Sequence, residues 1–378
     1  MIKCDFFYNE LTKNGIRFFT GVPDSLLKNF CAYVTDHAPA NRHVIAANEG
    51  NAVGLAIGHF LATGNPALVY MQNSGQGNAI NPIASLADPD VYGIPMVLLV
   101  GWRGEPGIKD EPQHVKQGKV TLGLFEKLGI PTSILPDNES EVSDCVRQAV
   151  RQSLAEKRPV ALIVKTGLFD SYKLQTKAKQ KYPMTRERAI ELVVGVLDRR
   201  AIVVSTTGKP SRELYEFRTS QNCGNQADFL TVGGMGHASQ IAAGIALEKP
   251  GRIVCCLDGD GAALMHMGGL GVIASLNLEN YKHVILNNGA HESVGGQPTV
   301  GFGVDFAGIA SRCGYQAVFV VHNEEELKTM LPEFMSTKGT VLMEVRVASG
   351  SRDDLGRPKT TPSQNKEMFM EFLNDDSI

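Results

Sequence analysis

Short apolar segments alternate along the whole chain with longer segments in which apolar residues recur at helical spacing. The most apolar of the short segments cover residues 66–72, 95–100, 159–165 and 252–257. Apolar runs of this length are typical of strands that are buried on both faces of a parallel sheet, and the segments between them predict crossover helices. The pattern therefore predicts an α/β fold built from open parallel sheets flanked by helices.

The alternation is interrupted once, near the middle of the chain. Residues 167–183 are polar, include four lysines and contain no long apolar run, which is typical of a linker between domains. We therefore predict a first domain at 1–167, a linker at 168–183 and a second domain at 184–378, each with its own parallel sheet.

Polar loops follow the predicted strands in both halves of the chain. Ligands of open parallel sheets bind outside the carboxyl ends of the strands, so these loops are the candidate binding segments. The longest is predicted at 101–119 and contains Trp102, Arg103, Lys109 and His114. Loops of this length within compact domains are usually functional or mobile.

The segment 252–293 carries the most specific pattern. Its predicted elements are a strand at 252–257, the turn Gly259-Asp260-Gly261, one helix at 262–275, a strand at 283–286 and the pair Asn287-Asn288. Two adjacent strands would bring the Asp260 carboxylate and one or both asparagine amides to the same edge of the sheet. These are oxygen ligands of the kind that Mg²⁺ prefers. An ordinary tight turn with a capping asparagine pair is the alternative interpretation.

Composition narrows the class of protein and its partners. Hydrophobic residues make up 43% of the chain, charged residues 20%, and the net charge is −3 without a long basic run, so no nucleic-acid partner is expected. Seven scattered cysteines without a CxxC pair favour a reducing compartment. The first residues lack a long apolar segment, and no run of about 18 apolar residues is available to span a bilayer. We therefore expect a cytoplasmic protein without a membrane partner.

The GDG…NN arrangement, with Asp260 and Asn287 27 positions apart, resembles the Mg²⁺–diphosphate motif of thiamine diphosphate enzymes. Glu49, between a short predicted strand and a helix rich in small residues, resembles the glutamate that binds N1′ of the aminopyrimidine in that family. The resemblance covers essentially the whole chain. It implies two thiamine diphosphate-binding-fold domains, pyrimidine-binding and then diphosphate-binding, without a middle domain, and thiamine diphosphate and Mg²⁺ as cofactors.

The resemblance also implies individual roles. The metal ligands would be Asp260, Asn288 and the carbonyl of Ala290, with Asn287 possible in place of Asn288. Glu49 would be catalytic; its alternative is a first-turn carboxylate that only stabilises a helix dipole. Met235 would be the bulky apolar residue under the cofactor, or else a core methionine. Further cofactor contacts are expected from Ser74, Gly75, Gly234, Gly236, His237, Gly259, Gly261 and Ala262. For His237, a helix cap is the alternative.

A directly fused pair of such domains resembles the 2-oxo acid decarboxylases that act on phosphonopyruvate or sulfopyruvate. The stretches that look most like the phosphonopyruvate enzymes are FTGVPDSLLKNF, NEGNAVGLAIG, GWRGEPGIKDEPQH and LNNGAHESVGGQPT. The resemblance therefore implies decarboxylation of 3-phosphonopyruvate to phosphonoacetaldehyde and CO₂, in phosphonate biosynthesis. Sulfopyruvate decarboxylation and a non-catalytic cofactor-binding subunit are the alternatives.

Charged and polar side chains of the first half are the candidates for handling this small-molecule substrate. Arg103, Lys109 and His114 are expected at the phosphonate. Proton transfer and substrate orientation are expected from Asp24, Ser25, His114 and the segment His291-Glu292-Ser293. Alternatively, Arg103 and Lys109 pair with Glu105, Asp110 and Glu111 on a solvated loop, and Asp24 or Ser25 caps the following helix. The family binds its cofactor between two subunits, which implies at least a homodimer.

Overall fold

Two compact units make up the computed structural model, which describes residues 1–176 and 181–375. The first unit covers the described residues up to 176 together with His291–Pro298, and the second covers the rest from 181 onward. Each unit contains a six-stranded sheet whose strand pairs are parallel. The predicted α/β fold with two parallel sheets is confirmed. Part of the predicted linker lies outside the described residues, and its boundaries remain a prediction.

The first unit alternates helices and strands. Its elements are α1 (Cys4–Lys13), β1 (Phe19–Gly21), α2 (Lys28–His37), β2 (His43–Ile45), α3 (Glu49–Thr63), β3 (Ala67–Gln72), α4 (Gln76–Pro82), β4 (Met96–Gly101), α5 (Pro112–Lys127), β5 (Thr132–Ile134), α6 (Glu139–Glu156) and β6 (Pro159–Val164). The strand order is β2-β1-β3-β4-β6-β5. Consequently the loops that follow β1, β3 and β4 leave the same edge of the sheet side by side.

The second unit repeats this architecture. Its elements are α7 (Arg186–Gly195), β7 (Ile202–Ser205), α8 (Lys209–Ser220), β8 (Asp228–Leu230), α9 (Ala238–Glu248), β9 (Val254–Gly259), α10 (Asp260–Met265), α11 (Gly269–Ser275), β10 (Tyr281–Asn287), α12 (Phe306–Cys313), β13 (Ala317–Val321), α13 (Glu324–Ser336), β14 (Val341–Arg346) and α14 (Pro362–Asn374). Two short strands, β11 (Ala290–His291) and β12 (Gln297–Pro298), lie between β10 and α12 in sequence, and residues 291–298 of this stretch belong to the first unit. The large sheet has the order β13-β14-β10-β9-β7-β8, and β11 pairs with β12 separately. The segment 290–303 is thus built of short strands and turns.

The apolar runs form the strands because both faces of each sheet are covered. In β4, Val97 and Leu99 belong to one buried cluster, whereas Leu98 and Val100 belong to another on the opposite face. All six residues of β4 are buried. This is the environment that a continuous apolar run predicts, in contrast to the alternating pattern of a strand with one wet face.

Two predicted elements were wrong. The predicted helix at 262–275 is two helices: α10 ends at Met265, His266 leaves the helical region (φ −134°, ψ 44°), and α11 begins at Gly269. Glycines lower helix stability by about 1 kcal/mol each, and Gly268 and Gly269 lie at this break.

No helix of the described residues is both long and apolar enough to cross a membrane.

The second wrong prediction concerns the polar loop at 101–119. The loop ends at Glu111, and α5 begins at Pro112, which occupies the first helical turn, where proline is favoured because its missing N–H is not needed. His114 therefore lies on a helix rather than on a loop. The high density of charged residues in this segment concealed the start of the helix.

Candidate functional site

Glu49 is the first residue of α3, at the edge of the first sheet. Asn48 is the N-cap, and its Oδ1 accepts a hydrogen bond from the backbone N–H of Asn51 at 2.9 Å. The Glu49 side chain is buried, and Asn78 Nδ2 donates to its Oε2 at 2.7 Å. Burial raises the pKa of Glu49, and the hydrogen bond from Asn78 opposes that rise. The result is a carboxyl group that retains its proton more readily than an exposed one.

The turn after β3 approaches the Glu49 side chain closely. Asn73, Ser74 and Gly75 form a short 3₁₀ turn that leads into α4. A Cβ built on Gly75 would lie 2.5 Å from Glu49 Oε1. Ser74 is exposed, and its Oγ accepts a hydrogen bond from Gln72 Nε2 at 2.6 Å. Ser74 and Gly75 were both predicted to contact the cofactor. Gly75 lies against Glu49, whereas Ser74 is exposed.

Asp24 and Ser25 follow β1 on the same edge. Asp24 is fully buried, its Oδ2 accepts from the backbone N–H of Leu26 at 2.8 Å, and burial raises its pKa. The N-cap of α2 is Leu27 and has no side-chain cap. Neither Asp24 nor Ser25 is therefore the N-cap of α2 itself, although Asp24 accepts a hydrogen bond from the turn that leads into this helix. A Cβ on Gly101 would lie 2.2 Å from Asp24 Oδ2, so β4 passes directly beside the buried carboxyl.

Arg103, directly after β4, is held by three side chains. Its Nε and Nη2 donate to the two carboxylate oxygens of Asp110 at 2.8 and 2.5 Å, and its Nη1 donates to Ser25 Oγ at 2.7 Å. Asn73 Nδ2 donates to the Arg103 carbonyl at 2.8 Å. The guanidinium keeps the pKa of Asp110 well below its usual range. Asp110 thus occupies two donors of the guanidinium fork. Of the solvated ion pairs expected as the alternative, the Arg103–Asp110 pair is present, but both of its side chains are largely buried.

The other charged residues of this segment differ from Arg103. Lys109 is exposed, and Glu105 pairs with Lys165 at 2.6 Å. His114 is buried on α5, and its Nδ1 has no hydrogen-bond partner in the described part of the chain. Burial, and then the charge of Arg103, lower the pKa of His114. The imidazole is therefore neutral at neutral pH, whereas Arg103 retains its charge.

His291 belongs to the segment 291–298, which is part of the first unit. Burial lowers the pKa of His291 to about 4, so this imidazole is neutral as well. The same segment is anchored by Gln297, whose Nε2 donates to the carbonyl of Lys28 at 3.2 Å. Lys28 begins α2, three residues after Ser25.

Asp260 is the central residue of the predicted metal site in the second unit. It is the first residue of α10, and Gly259 and Gly261 flank it at the end of β9. The side chain is buried, and burial raises its pKa to about 6 although Thr299 Oγ1 donates to its Oδ2. A Cβ on Gly301 would lie 2.4 Å from Asp260 Oδ2. Glycine at 301 thus leaves room beside this carboxyl.

Asn287, the last residue of β10, and Asn288, which follows it, have different partners. Asn287 is fully buried, and its Nδ2 donates to the Gly301 carbonyl at 2.9 Å and to Glu344 Oε1 at 2.8 Å. Its Oδ1 accepts from the Gly289 N–H at 3.1 Å. The Asn288 Oδ1 accepts from the Ala290 N–H at 3.1 Å. Both polar atoms of the Asn287 side chain therefore have partners within the buried core. This favours Asn288 over Asn287 as the predicted metal ligand.

The register of the sheet explains why these residues meet. Leu286 of β10 is paired with Gly259 of β9, so Asp260, which follows β9, and Asn287, the last residue of β10, lie at the same edge. Carboxylate, amide and carbonyl oxygens from Asp260, Asn288 and Ala290 are the donor set that Mg²⁺ takes in proteins. The chemistry of the residues present therefore fits Mg²⁺.

The glycine turn before α9 contains the remaining predicted cofactor residues. Gly234 and Gly236 have positive φ angles of 64° and 88°, which favour glycine. Met235 is only partly buried and is not part of a buried core cluster among the described residues. The core alternative for Met235 is therefore wrong. His237 occupies the N-cap position of α9 without a side-chain cap bond, and its Nδ1 lies 3.1 Å from the Gly234 carbonyl.

Sequence reasoning missed three residues that contact the predicted ones. They are Asn73, Asn78 and Thr299. Each is a polar residue in a segment that follows a strand, which was the available signal, but their partners lie 29 to 39 positions away in sequence.

Comparisons with known proteins cover both units. The sequence matches the family described as the N-terminal TPP binding domain of thiamine pyrophosphate enzymes over residues 4–122, and the C-terminal TPP binding domain over residues 206–345. The phosphonopyruvate decarboxylase of Streptomyces viridochromogenes is 36% identical, over 96% of this chain and 93% of that protein. The one from Streptomyces hygroscopicus is also 36% identical, over 99% and 95%.

A sulfopyruvate decarboxylase from Methanosarcina acetivorans is more distant. It is 26% identical over 96% of each chain. The matched relatives span the same length as this chain, and both halves carry a thiamine pyrophosphate-binding domain. The chain therefore belongs to the thiamine pyrophosphate enzyme family, in the group that includes the phosphonopyruvate decarboxylases.

Proposed function

We propose that this chain decarboxylates 3-phosphonopyruvate to phosphonoacetaldehyde and CO₂, using thiamine diphosphate and Mg²⁺, as a cytoplasmic enzyme of phosphonate biosynthesis. One observation carries the proposal. This chain is similar over its whole length to two phosphonopyruvate decarboxylases, and it has two buried carboxyls, Glu49 and Asp260, each at the start of a helix. The seven free cysteines support a reducing compartment.

The second unit would hold the diphosphate end of the cofactor. Asp260, Asn288 and the Ala290 carbonyl would bind Mg²⁺, and the turn containing Gly234, Met235 and Gly236 would contact the cofactor. When bound, thiamine diphosphate supplies an electron sink for the electron pair that is released as CO₂ leaves. Asp260 must be ionised to bind the cation, and the cation in turn favours the ionised carboxylate against the burial that raises its pKa.

Glu49 would exchange a proton with N1′ of the aminopyrimidine. A general acid or base works best when its pKa lies near the working pH. Burial moves the pKa of Glu49 upward, in this direction, while the Asn78 amide keeps the ionised form accessible. A solvated glutamate would lack that adjustment.

The first unit would bind the acidic groups of the substrate. Arg103 brings a permanent charge to the edge that also carries Ser25, and the Ser25 hydroxyl connects Arg103 Nη1 to the buried Asp24 at 2.7 and 3.5 Å. His114 and His291 contribute neutral imidazoles, which donate or accept without adding charge. We assign the phosphonate to Arg103, with Lys109 as an exposed second cation, and substrate orientation to Ser25 and the histidines.

Self-association to at least a homodimer, with the cofactor at the interface between subunits, is part of the proposal. Helix α3, which begins with Glu49, exposes Leu55 and Leu61. Gly54 and Gly58 on this helix have open space where a side chain would be. An exposed apolar surface with small residues supports close packing against another chain. Sedimentation of the active enzyme should give a dimer or larger, and an active monomer would contradict this assignment.

The function is tested by measuring aldehyde formation from phosphonopyruvate, sulfopyruvate and pyruvate in parallel. Each reaction is run with thiamine diphosphate and Mg²⁺, and again with either one omitted. We expect turnover of phosphonopyruvate well above that of the other two acids, lost without cofactor. Preference for sulfopyruvate, the substrate named for the more distant relative, would reassign the Arg103 segment while leaving both carboxyl roles in place. Absence of turnover with every acid would reject the decarboxylase assignment.

A further inference from the structure

The carboxyl group of Glu49 is bounded by α4 and by the turn that precedes it. Asn78, in the first turn of α4, donates from Nδ2 to Oε2 at 2.7 Å. The other oxygen, Oε1, faces the Cα of Gly75. The two oxygens of the same carboxyl group therefore have different environments: one is occupied by an amide donor and the other adjoins a residue without a side chain.

Glycine is needed at 75 for its size rather than for its backbone conformation. Its φ and ψ angles, −68° and −14°, are ordinary helical values that alanine adopts freely. A Cβ at this position, however, would lie 2.5 Å from both Oε1 and Cγ of Glu49. Gly50 allows a similar approach, since a Cβ there would lie 2.9 Å from the Asn78 carbonyl. The starts of α3 and α4 thus come together only because small residues are present.

We propose that Asn78 is a positioning residue for Glu49: its amide holds Oε2, and Gly75 leaves space for Oε1, so that Oε1 is the oxygen presented to the aminopyrimidine N1′ of thiamine diphosphate. This rests on the proposed function, because it assumes that Glu49 acts on the cofactor. No contact between Asn78 and the cofactor is required.

Two further observations agree with this arrangement. Burial raises the pKa of Glu49, and the hydrogen bonds from Asn78 and, to a smaller extent, from the Glu49 backbone N–H lower it, whereas no charged side chain of the described residues shifts it. Asn78 therefore acts against burial, without help from a nearby cation. Removing the amide should leave Glu49 protonated to a higher pH and free to rotate away from the orientation in which Oε1 is presented.

The experiment compares four variants, Asn78→Ala, Asn78→Asp, Gly75→Ala and Gly77→Ala, with the full-length wild type. Gly77 is the matched control because it lies in α4, is exposed and has open space where a Cβ would be. The readouts are the affinity for thiamine diphosphate with Mg²⁺, by calorimetry, and the exchange of the cofactor C2 proton with deuterium in the absence of substrate, by NMR.

Asn78→Ala and Gly75→Ala should slow C2 exchange by about 10–100-fold, as misplacement of a reacting group by about 1 Å does. Asn78→Ala should change cofactor affinity by less than about threefold, since an unaligned carboxyl still contacts the ring, and net hydrogen-bond contributions are small. Gly77→Ala should match the wild type in both measurements.

Asn78→Asp adds a readout that a merely structural role would not change. Two carboxyls within hydrogen-bond distance share one proton, so the apparent pKa of the pair rises. In its protonated form the new Asp donates an O–H to Glu49 as the amide does. As pH falls, exchange by Asn78→Asp should therefore recover relative to wild type, whereas exchange by Asn78→Ala should not.

The possible failures are distinguishable. If wild-type protein binds the cofactor and exchanges its C2 proton, but Asn78→Ala and Gly75→Ala behave like Gly77→Ala, the positioning role is wrong. If wild-type protein neither binds thiamine diphosphate nor promotes exchange, the proposed function itself is wrong. If Asn78→Ala does not fold, as judged by circular dichroism, Gly75→Ala and Asn78→Asp decide the matter.

Discussion

Glu49 of the first unit and Asp260 of the second occupy the same local position in two different sheets. Each is the first residue of a helix, directly after the N-cap, at the carboxyl end of the sheet. Each is buried, and in each burial raises the pKa. A buried carboxyl that is costly to ionise responds strongly to an added proton or cation. Both positions are therefore suited to chemistry rather than to stability.

The neighbours of the two carboxyls are what distinguish them. Glu49 has one side-chain amide donor, Asn78, and packs closely against Gly75, which has no side chain. Asp260 has the Thr299 hydroxyl on one oxygen and the asparagine pair of the adjacent strand at the same edge. The proposed proton exchange suits Glu49, which has a single side-chain donor and no nearby charged group, whereas the additional oxygen atoms around Asp260 suit the proposed cation site. The start of a helix thus places each carboxyl at the edge of its sheet, and the residues of the adjoining segment distinguish the roles proposed for the two carboxyls.

The most severe test of this comparison is Glu49→Gln, which removes the proton-exchanging group while retaining shape. The expected result is a fall in kcat of about 10²–10⁴-fold, the usual contribution of a general acid or base, with a much smaller change in Mg²⁺ affinity. The control is Glu139→Gln. Glu139 also follows an asparagine N-cap, at the start of α6, but it is exposed. A variant of Glu49 with wild-type kcat would mean that position and burial alone do not identify the catalytic carboxyl.

The second test, Asp260→Asn, should reverse the pattern. We expect Mg²⁺ affinity in the presence of thiamine diphosphate to fall by more than about 100-fold, since changes in the groups around metal ligands alone cost about 10–100-fold. Calorimetric titration measures this directly. The control is Asp305→Asn in the same unit, because Asp305 caps α12 and asparagine caps equally well. Unchanged metal affinity would remove Asp260 from the site.

The same variant has an opposite effect on the apo protein. The pKa of Asp260 is about 6 when folded, above its usual value of 3.8, so the folded state binds this proton more tightly than the unfolded state does. The contribution of Asp260 to stability is therefore highest below about pH 4 and is lost as pH rises to about 6. Above that range Asp260→Asn, which does not titrate, should melt at a higher temperature than the wild type when both are metal-free.

Only some of the features that distinguish the two carboxyls could be predicted from the sequence. Continuous apolar runs predicted both sheets, because strands covered on both faces require them. Asp260 and Glu49 were identified through motifs local in sequence. Asn78 and Thr299 were not, because their partners, 29 and 39 positions away, become neighbours only when helices and loops pack. The break between α10 and α11 was missed because the apolar period continues across Gly268.

A third carboxyl, Asp110, marks the opposite extreme and gives the third test. It is partly exposed, and Arg103 keeps it ionised. We therefore expect Asp110 to orient the Arg103 guanidinium and not to exchange a proton. Arg103→Ala should raise the KM for phosphonopyruvate by about 10–100-fold, the equivalent of one charge-assisted hydrogen bond of about 1.5–3 kcal/mol. Cofactor affinity should remain unchanged.

Two controls accompany the Arg103 variant. Arg147→Ala removes an arginine that is also paired with a carboxylate, Asp144, but on the exposed surface of α6. Lys109→Ala removes an exposed cation from the Arg103 segment itself. Steady-state kinetics for both should lie close to wild type if Arg103 is the principal cation. A larger effect of Lys109→Ala would shift the phosphonate to the outer part of the segment.

The smallest effects are expected for Asn287 and Asn288. These adjacent residues allow a structural role and a metal-binding role to be compared directly. Asn287→Ala should lower the free energy of unfolding by about 2–3 kcal/mol, because it leaves the buried Glu344 and the Gly301 carbonyl without their shared donor. Asn288→Ala should leave urea unfolding of the apo protein nearly unchanged and weaken Mg²⁺ binding instead. If Asn287→Ala weakened metal binding without loss of stability, the ligand would be Asn287. The hydrogen bond from its amide to the Gly301 carbonyl would then orient a metal ligand and would not stabilise the core.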